Sequence, residues 1–579
     1  MTLSGGRKLI RRYLSLLAIL VLFAGCADLA QLLPGPEEEG LPSAFVVPTP
    51  EQTYPLEMST AARLLARGKM VVGVRYDLEP FSYITADSQL AGLEIDLARE
   101  LARRWLGSPD AVRFVQVRSD TAYTYLAAGT VDVVFAGLVH TQDGEARADF
   151  SPPYFANGMA LLTFPDTGIQ SLADLDGKTV GTVSWTDSAD ALAASASVSV
   201  TQVAYEHTAD ATEALRLRQI DAYVDHRHRL ERARNTEAGS VVVGQWTWEP
   251  VSMIYRQDDP FFADLVALTF DDMAADGTRD ALYDRWLPGT SPPSSVRFGS
   301  PGSLGGLGSG GATPVLDATP QQISTQDVMA RIRDRGSVAV GYFQTRWPYS
   351  GDRADGLPTG FEVRLIEQLG ELWLGSTSAV TLVPVVDAND ALQRLERGEV
   401  DILIGAWVQS REGELRMDYS IPILDDGVSI MSLATNPIDE LPQLNGQAVG
   451  VVVGSSAEAA VPGFSQGVGL SSRGYPTFEA ALAGLQTGEV VALLTERWPA
   501  LDVHFRQTDY VFTDRRYTYR PVALVVPEGD SDFHDLVNLS LMWLQSQGIY
   551  QELYSLWFDD AVPELESWPG LATSLVIQR

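Results

Sequence analysis

One long pattern occurs twice in this chain. Residues 68–83 read GKMVVGVRYDLEPFSY and residues 336–351 read GSVAVGYFQTRWPYSG. The correspondence continues in order. Gly92–Leu97 (GLEIDL) answers to Gly360–Leu365 (GFEVRL), Gly129–Asp132 (GTVD) to Gly398–Asp401 (GEVD), and Asp149–Ser151 (DFS) to Asp418–Ser420 (DYS). Gly177–Gly181 (GKTVG) then answers to Gly446–Gly450 (GQAVG), and Gly277 and Trp286 to Gly548 and Trp557. The offset is 268 residues at the start and 271 at the end, so two whole domains align with almost no slippage. A solenoid would repeat every ~20–50 residues. This is a tandem duplication of one large module, and any reading of a site can be tested twice.

At 579 residues and 45% hydrophobic content, the chain can build several packed cores. Its net charge of −33 argues against nucleic acid and anionic membrane surfaces as partners. Six histidines without metal-ligand spacing, and the lack of a nucleophile motif, predict no catalytic residue, no metal and no cofactor. A monomer is expected.

The one cysteine, Cys26, forbids an internal disulfide, so the fold must rest on burial. Its position is informative. Arg7, Lys8, Arg11 and Arg12 form a basic region, Leu14–Phe23 an apolar run too short for a comfortable span, and Ala24, Gly25 and Cys26 follow. This resembles the lipobox of bacterial lipoproteins, with Phe23 where that pattern prefers leucine. The resemblance implies that Cys26 becomes the acylated first residue of an extracytoplasmic protein anchored to the cell membrane; two or more acyl chains hold stably where one does not. The alternative is an ordinary signal peptide with an incidental cysteine. The expected organisation is 1–25 signal peptide, 26–55 Pro/Glu-rich stalk, 56–287 first module, 288–322 Gly/Ser/Pro linker, 323–560 second module and 561–579 tail. A flexible linker of that length spans about 30–35 Å, which predicts modules that move independently. No later apolar run is long enough to span a membrane.

Within each module short apolar runs alternate with amphipathic stretches. Met70–Val74, Val131–Phe135, Val180–Val183 and Ala222–Val224 read as buried strands. Gly92–Trp105 puts Leu93, Leu97 and Leu101 on one helical face. Strands alternating with helices predict an α/β fold of parallel sheets covered on both faces. Ligands of such sheets bind beyond the carboxyl ends of the strands.

Taken in order and twice over, the motifs Gly-x-[VM]-x-V-G, Pro-[FY], Gly-[FL]-Glu-[VI], Gly-x-Val-Asp, Asp-[FY]-Ser and the closing LYDRW or LYSLW resemble the family 3 extracellular solute-binding proteins of polar amino-acid type. The resemblance covers about 68–287 and 336–558. It implies two tandem periplasmic-binding-protein-like modules of type II, the Venus-flytrap form. Each has two α/β lobes joined by a hinge: 68–158 with about 253–287 and an inserted lobe of about 159–252 in the first, with the inserted lobe at about 428–520 in the second. It also implies delivery of solute to the membrane subunits of an ABC importer. A non-transport receptor or scaffold with degenerate clefts is the competing reading, and a dehydratase-like cleft enzyme a third.

The same resemblance marks site residues and departures from the family pattern. A serine and an arginine that grip an α-carboxylate are expected within Gly137–Gly144 (GLVHTQDG) and Ala406–Gly413 (AWVQSREG). Val139 and Val408 stand at the serine position, Gly144 and Gly413 at the arginine position. Both copies instead share Gly-Glu-x-Arg, at 144–147 and 413–416. Thr141 and Ser410 are the hydroxyls left in these segments. The family's anion-binding helix start corresponds to Gly454–Glu458 (GSSAE), with Ser455 and Ser456, and to Trp185–Ser188 (WTDS), with Thr186 and an opposing Asp187. The ammonium-holding aspartate corresponds to Asp225 and to Thr495; for Asp225 a plain strand-end cap is the alternative. The stacking position before the proline is Leu78 or Arg346, and Arg346 could replace the lost clamp. Phe81, Tyr349 and Trp407 are either ligand contacts or packing. On this reading module 1 favours an amine-bearing ligand and module 2 an anion.

Overall fold

The computed structural model describes residues 58–184, 188–195, 199–293, 325–558 and 561–565. Cys26, the stalk, Thr186, Asp187, nearly all of the linker and the tail beyond 565 lie outside them.

Each module is built on two sheets, of five strands each in module 1 and of six and five in module 2. In module 1 the first has the spatial order Val112–Gln116, Met70–Val74, Val133–Phe135, Ile254–Tyr255, Asp149–Phe150. The second runs Thr201–Tyr205, Thr179–Val183, Ala222–His226, Met159–Thr163, Val241–Val243. Module 2 repeats both orders strand for strand, on Val380–Val385, Val338–Phe343, Ile402–Val408, Pro521–Val526 and Asp418–Tyr419, then on Ser471–Tyr475, Ala448–Val452, Ala492–Thr495, Ser429–Leu433 and Tyr510–Phe512.

The sheets are mixed, not parallel throughout as the βα alternation predicts. Met70–Val74 pairs in parallel with both neighbours, but Ile254–Tyr255 runs antiparallel beside Val133–Phe135. In the second sheet Met159–Thr163 runs antiparallel to Ala222–His226. The cause is topological. The chain leaves one lobe, builds the other and comes back, so its crossing strands enter each sheet against the grain. Phe155–Asn157 and Glu249–Val251 pair antiparallel as the two hinge strands of module 1. In module 2 Leu424–Asp425 pairs with the start of Pro521–Val526.

The strands are central because they are apolar on both faces: every residue of Met70–Val74 and Val338–Phe343 is buried. The helix Leu93–Leu106 buries Leu93, Leu97 and Leu101 against the first sheet, the face that its 3.6-residue period selects. Among the described residues no helix is long and apolar enough to cross a membrane.

The modules also touch directly, which the linker does not announce. Arg411 of module 2 forms ion pairs with Asp271 and, at 2.8 Å, Asp272 of module 1. Ser531 accepts a bond from Asp258 N at 3.0 Å and donates its hydroxyl to Asp149 at 3.1 Å. Leu415 packs on Ala267 and Leu268. The expectation of independent motion therefore meets a built interface.

Candidate ligand clefts at the two hinges

The two lobes of each module meet beside the hinge strands, and one loop is built identically in both copies. Gly92 starts its helix at φ +129°, where a Cβ would lie 2.1 Å from the Phe81 carbonyl oxygen; at Gly360, φ +138°, it would lie 2.2 Å from that of Tyr349. Only glycine allows this approach. It lets Leu93 N and Glu94 N donate to Pro80 O and Phe81 O at 3.0 and 2.8 Å, while Phe361 N and Glu362 N reach Pro348 O and Tyr349 O at 2.9 and 3.0 Å. The Pro-[FY] and Gly-x-Glu motifs are thus two halves of one junction.

The glutamates of that junction turn inward. Glu94 accepts from Ser82 Oγ at 2.5 Å, from Gly137 N at 2.8 Å and from the Tyr154 hydroxyl. Glu362 accepts from Gly405 N and, at 3.1 Å, from Ala406 N. Each carboxylate fixes the backbone where the expected cleft segment begins. Burial raises both groups, Glu362 to about 7 in spite of its backbone donors and Arg346. Neither was among the expected site residues, although the repeated motif contained both.

Gly144 and Gly413, at the expected arginine positions, sit close against aromatic side chains. A Cβ on Gly144 would come within 2.8 Å of the Phe150 ring and 2.9 Å of Tyr123 Oη. On Gly413 it would lie 2.0 Å from Tyr419 Oη. Aromatic side chains occupy the space that a side chain would need. Arg147 and Arg416 have partners of their own. Arg147 stacks over Tyr123 at 3.9 Å, and Arg416 pairs with Glu396 at 2.8 Å.

Other expected residues take structural places. Thr141 and Ser410 cap short helices, accepting from Gly144 N and Gly413 N at 3.1 Å each. Leu78 covers Gly137, where a Cβ would lie 2.5 Å from Leu78 Cδ2. Phe81, Tyr349 and Trp407 are buried: Phe81 packs edge-on against Phe155 at 4.9 Å, Trp407 beside Phe343 at 5.7 Å, and the Tyr349 hydroxyl donates to Asp426 at 2.9 Å. Arg346 lies 3.6 Å over the Phe343 ring and donates to Gly405 O at 2.5 Å; burial lowers its guanidinium to about 10.

The inserted lobes carry the densest polar networks. In module 1 Asp225 is fully buried and accepts from Tyr223 Oη at 2.5 Å, His226 N at 2.8 Å and Arg229 at 3.1 Å. Beside it His226 Nδ1 meets Glu249 Oε2 at 3.0 Å, and Asn157 donates to that same oxygen at 2.8 Å. The corresponding positions in module 2 are Glu496, Arg520 and Asp426. Glu496 pairs with Arg520 at 2.9 Å. The Ser456 backbone N and hydroxyl donate to Glu496 at 2.9 and 2.6 Å. Burial alone would raise Glu496, but Arg520 and Ser456 hold it below its ordinary value. Ser455 caps Glu458 N at 3.1 Å, and Thr495 donates to Glu496 O at 3.2 Å. The helix start expected to receive an anion already holds the chain's own carboxylate.

Two hinged α/β lobes in each module define the type II binding-protein architecture. The family described as bacterial extracellular solute-binding proteins, family 3, matches residues 70–289 and 338–560, and the chain belongs to it. Among curated relatives, the glutamine-binding protein of Geobacillus stearothermophilus is 33% identical over 166 residues, 28% of this chain and 63% of that protein. The ABC transporter glutamine-binding protein of Bacillus subtilis is 26% identical over 39% of this chain and 84% of its own length. The L-cystine-binding protein of Escherichia coli is 27% identical over 42% and 91%. A solved structure of an ancestral cationic amino-acid solute-binding protein is 31% identical, with a TM-score of 0.35 over 40% of this chain and all of that one.

Proposed function

We propose that this chain is a membrane-tethered, extracytoplasmic solute-binding protein whose two clefts deliver a small polar solute to an ABC importer. The carrying observation is the hinged two-lobe module, present twice. A solute that touches both lobes only when they close binds the closed state better and pulls the module there. The relatives are named for glutamine and cystine, which supports an amino-acid-like solute; an amine or an organic acid is the alternative that a cleft without the arginine leaves open. The carboxylate grip must differ from the family's: losing one partner of a buried charge pair costs about 2–5 kcal/mol, and both clefts lack that arginine. Leu78, Thr141, Thr186, Asp187 and Asp225 are the proposed contacts in module 1; Arg346, Ser410, Ser455, Ser456 and Thr495 are those in module 2. Cys26 is the proposed lipid attachment point.

Thermal-shift screening of the full chain against amino acids, amines and organic acids tests this. A ligand at 100 times its Kd adds about 2.7 kcal/mol, and a panel without a single shift sinks the transport reading. Metabolic labelling with a fatty acid should mark the wild type and not Cys26→Ser; an unlabelled wild type removes the anchor. A second reading, a receptor or scaffold with degenerate clefts, is favoured by one observation: Glu496 fills the helix start that would seat an anion in module 2.

A further inference from the structure

The repeated Gly-Glu-x-Arg run has a role that the clefts do not absorb. Its glutamates, Glu145 and Glu414, are only 5% and 3% exposed, and both line a cavity of about 220 Å³ between the modules. At about 30 Å³ per water this chamber has room for about seven molecules, well beyond a packing defect. Equivalent residues of the two copies line it together: Asp149 with Asp418, Phe150 with Tyr419, Trp248 with Tyr519. Seven carboxylates, and neither lysine nor arginine, are among the described lining residues.

Some of these groups are tied down. Asp149 receives the Ser531 hydroxyl, Asp418 receives Gly529 N at 2.8 Å, and Glu145 meets His140. His534 is turned to the Tyr419 carbonyl at 2.9 Å. Two buried acceptors are not satisfied among the described residues: Oδ2 of Asp535, which is 8% exposed, and Oε1 of Gln409, which is 2% exposed. The Gln409 amide is fixed by its Nε2 bond to Ser420 O at 2.8 Å. Burial, then the neighbouring Asp535 and Glu145, raises Asp149 well above the ordinary carboxylate range; burial, then Glu145, does the same to Asp535. A buried acceptor without a donor costs about 1–3 kcal/mol, more when charged. The chamber therefore calls for positive charge and N–H donors. Among the described residues no group of three His, Cys, Asp or Glu side chains is arranged to hold a metal ion. Oxygens too dispersed for a metal shell suit a longer cation with several donors, and the lining side chains Phe150, Tyr419 and Trp248 offer apolar contact to its methylenes.

We propose that the cavity between the modules binds a small organic ammonium ion, in the simplest case an alkyl diamine, with Asp535 and Gln409 as its principal acceptors and Glu145 and Glu414 as the surrounding negative wall. Such a cation touches both modules at once and strengthens their docking. The test is calorimetric titration of the full chain with 1,4-diaminobutane at pH 8, with sodium chloride matched for ionic strength. Saturable binding is expected, weakened at least ten-fold in Asp535→Asn and in Gln409→Met, each checked for native circular dichroism; if Asp535→Asn fails to fold, Gln409→Met decides. The absence of binding at millimolar diamine means a chamber of water only and overturns the proposal. So does binding that survives both substitutions, or binding that is lost in Asp225→Asn and kept in Asp535→Asn, which would assign the amine to a cleft.

Discussion

At the hinge of module 1 the base sits on the inserted lobe and the acid on the return strand, His226 with Glu249; at the hinge of module 2 the acid sits on the lobe and the base on the strand, Glu496 with Arg520. A neighbour from the first hinge strand is the same in role, Asn157 or Asp426, and accepts the equivalent backbone N–H, His228 N at 3.2 Å or Trp498 N at 2.8 Å. Duplication preserved the geometry of the pair and reversed its polarity. What the hinge needs is a matched pair, in either sense. The two senses still differ physically. Arg520 is only 3% exposed, whereas His226 keeps 16% of its surface.

The largest expected effect follows from that difference. Arg520→Leu leaves Glu496 buried without its counter-charge and should cost about 3–5 kcal/mol. Glu249→Leu leaves an imidazole that can become neutral and should cost only about 1 kcal/mol. Urea unfolding of the full chain, with hydrogen exchange locating the loss, measures both; equal costs would break the contrast.

Next come the glycines at the missing clamp. Gly413→Ala collides with Tyr419 Oη more closely than Gly144→Ala collides with Phe150. Overpacking costs about 1–3 kcal/mol, and the upper end is expected in module 2 and the lower in module 1. Adding Tyr419→Phe to Gly413→Ala should recover part of the loss, and a double variant no more stable than the single would remove the packing explanation.

Acidity should act oppositely on Glu362 and Asp426 of module 2 and on His228 of module 1. Glu362 is raised to about 7 and Asp426 to about 6, in both cases by burial. These two groups hold protons in the folded state that the unfolded chain has released, so the stability they contribute is full below about pH 4 and falls as pH rises through these values. In module 1 burial, then Arg229, lowers His228 to about 3. Its folded imidazole stays neutral while the unfolded one charges, so stability is lost as pH falls from about 6.5 towards 3. Between pH 7.5 and 5.5, Glu362 should add about 2 kcal/mol and His228 remove about 1 kcal/mol. Melting curves of Glu362→Gln and His228→Gln across that range should each flatten the corresponding slope.

The smallest effect concerns the exposed bridge from Glu79 to Arg232 at 3.4 Å, which links the lobes of module 1 and has Trp347 and Asp502 at the equivalent positions of module 2. Glu79→Ala should change stability by less than about 0.5 kcal/mol; a larger loss in thermal melting would mean that closure of module 1 leans on it.

Much of the scaffold was legible because its causes are local. The Leu93, Leu97, Leu101 face is a periodicity, the run Met70–Val74 is a strand by composition, and Gly92 marks the junction in both copies. The clefts were less legible. Expecting Ser456 to receive a ligand anion was reasonable from a helix start, but Glu496 is 40 residues away and reaches it only when the lobe folds. Trp407 reads equally well as packing or as a contact and Phe81 more readily as packing; both are buried, Phe81 beside Phe155 and Trp407 beside Phe343. His140 reads as a cleft residue in sequence, yet it lines the chamber between the modules.

Sequence alone determined that one module was copied and that it is α/β. These are facts of composition, period and position along the chain. Only the tertiary structure decided which residues became partners: the antiparallel return strands, the hinge pairs 23 and 24 residues apart, the aromatics against Gly144 and Gly413, and the acidic chamber shared by two modules. Each of these depends on groups that are distant along the chain and meet only when the lobes and modules pack, and neither periodicity nor motif records that meeting.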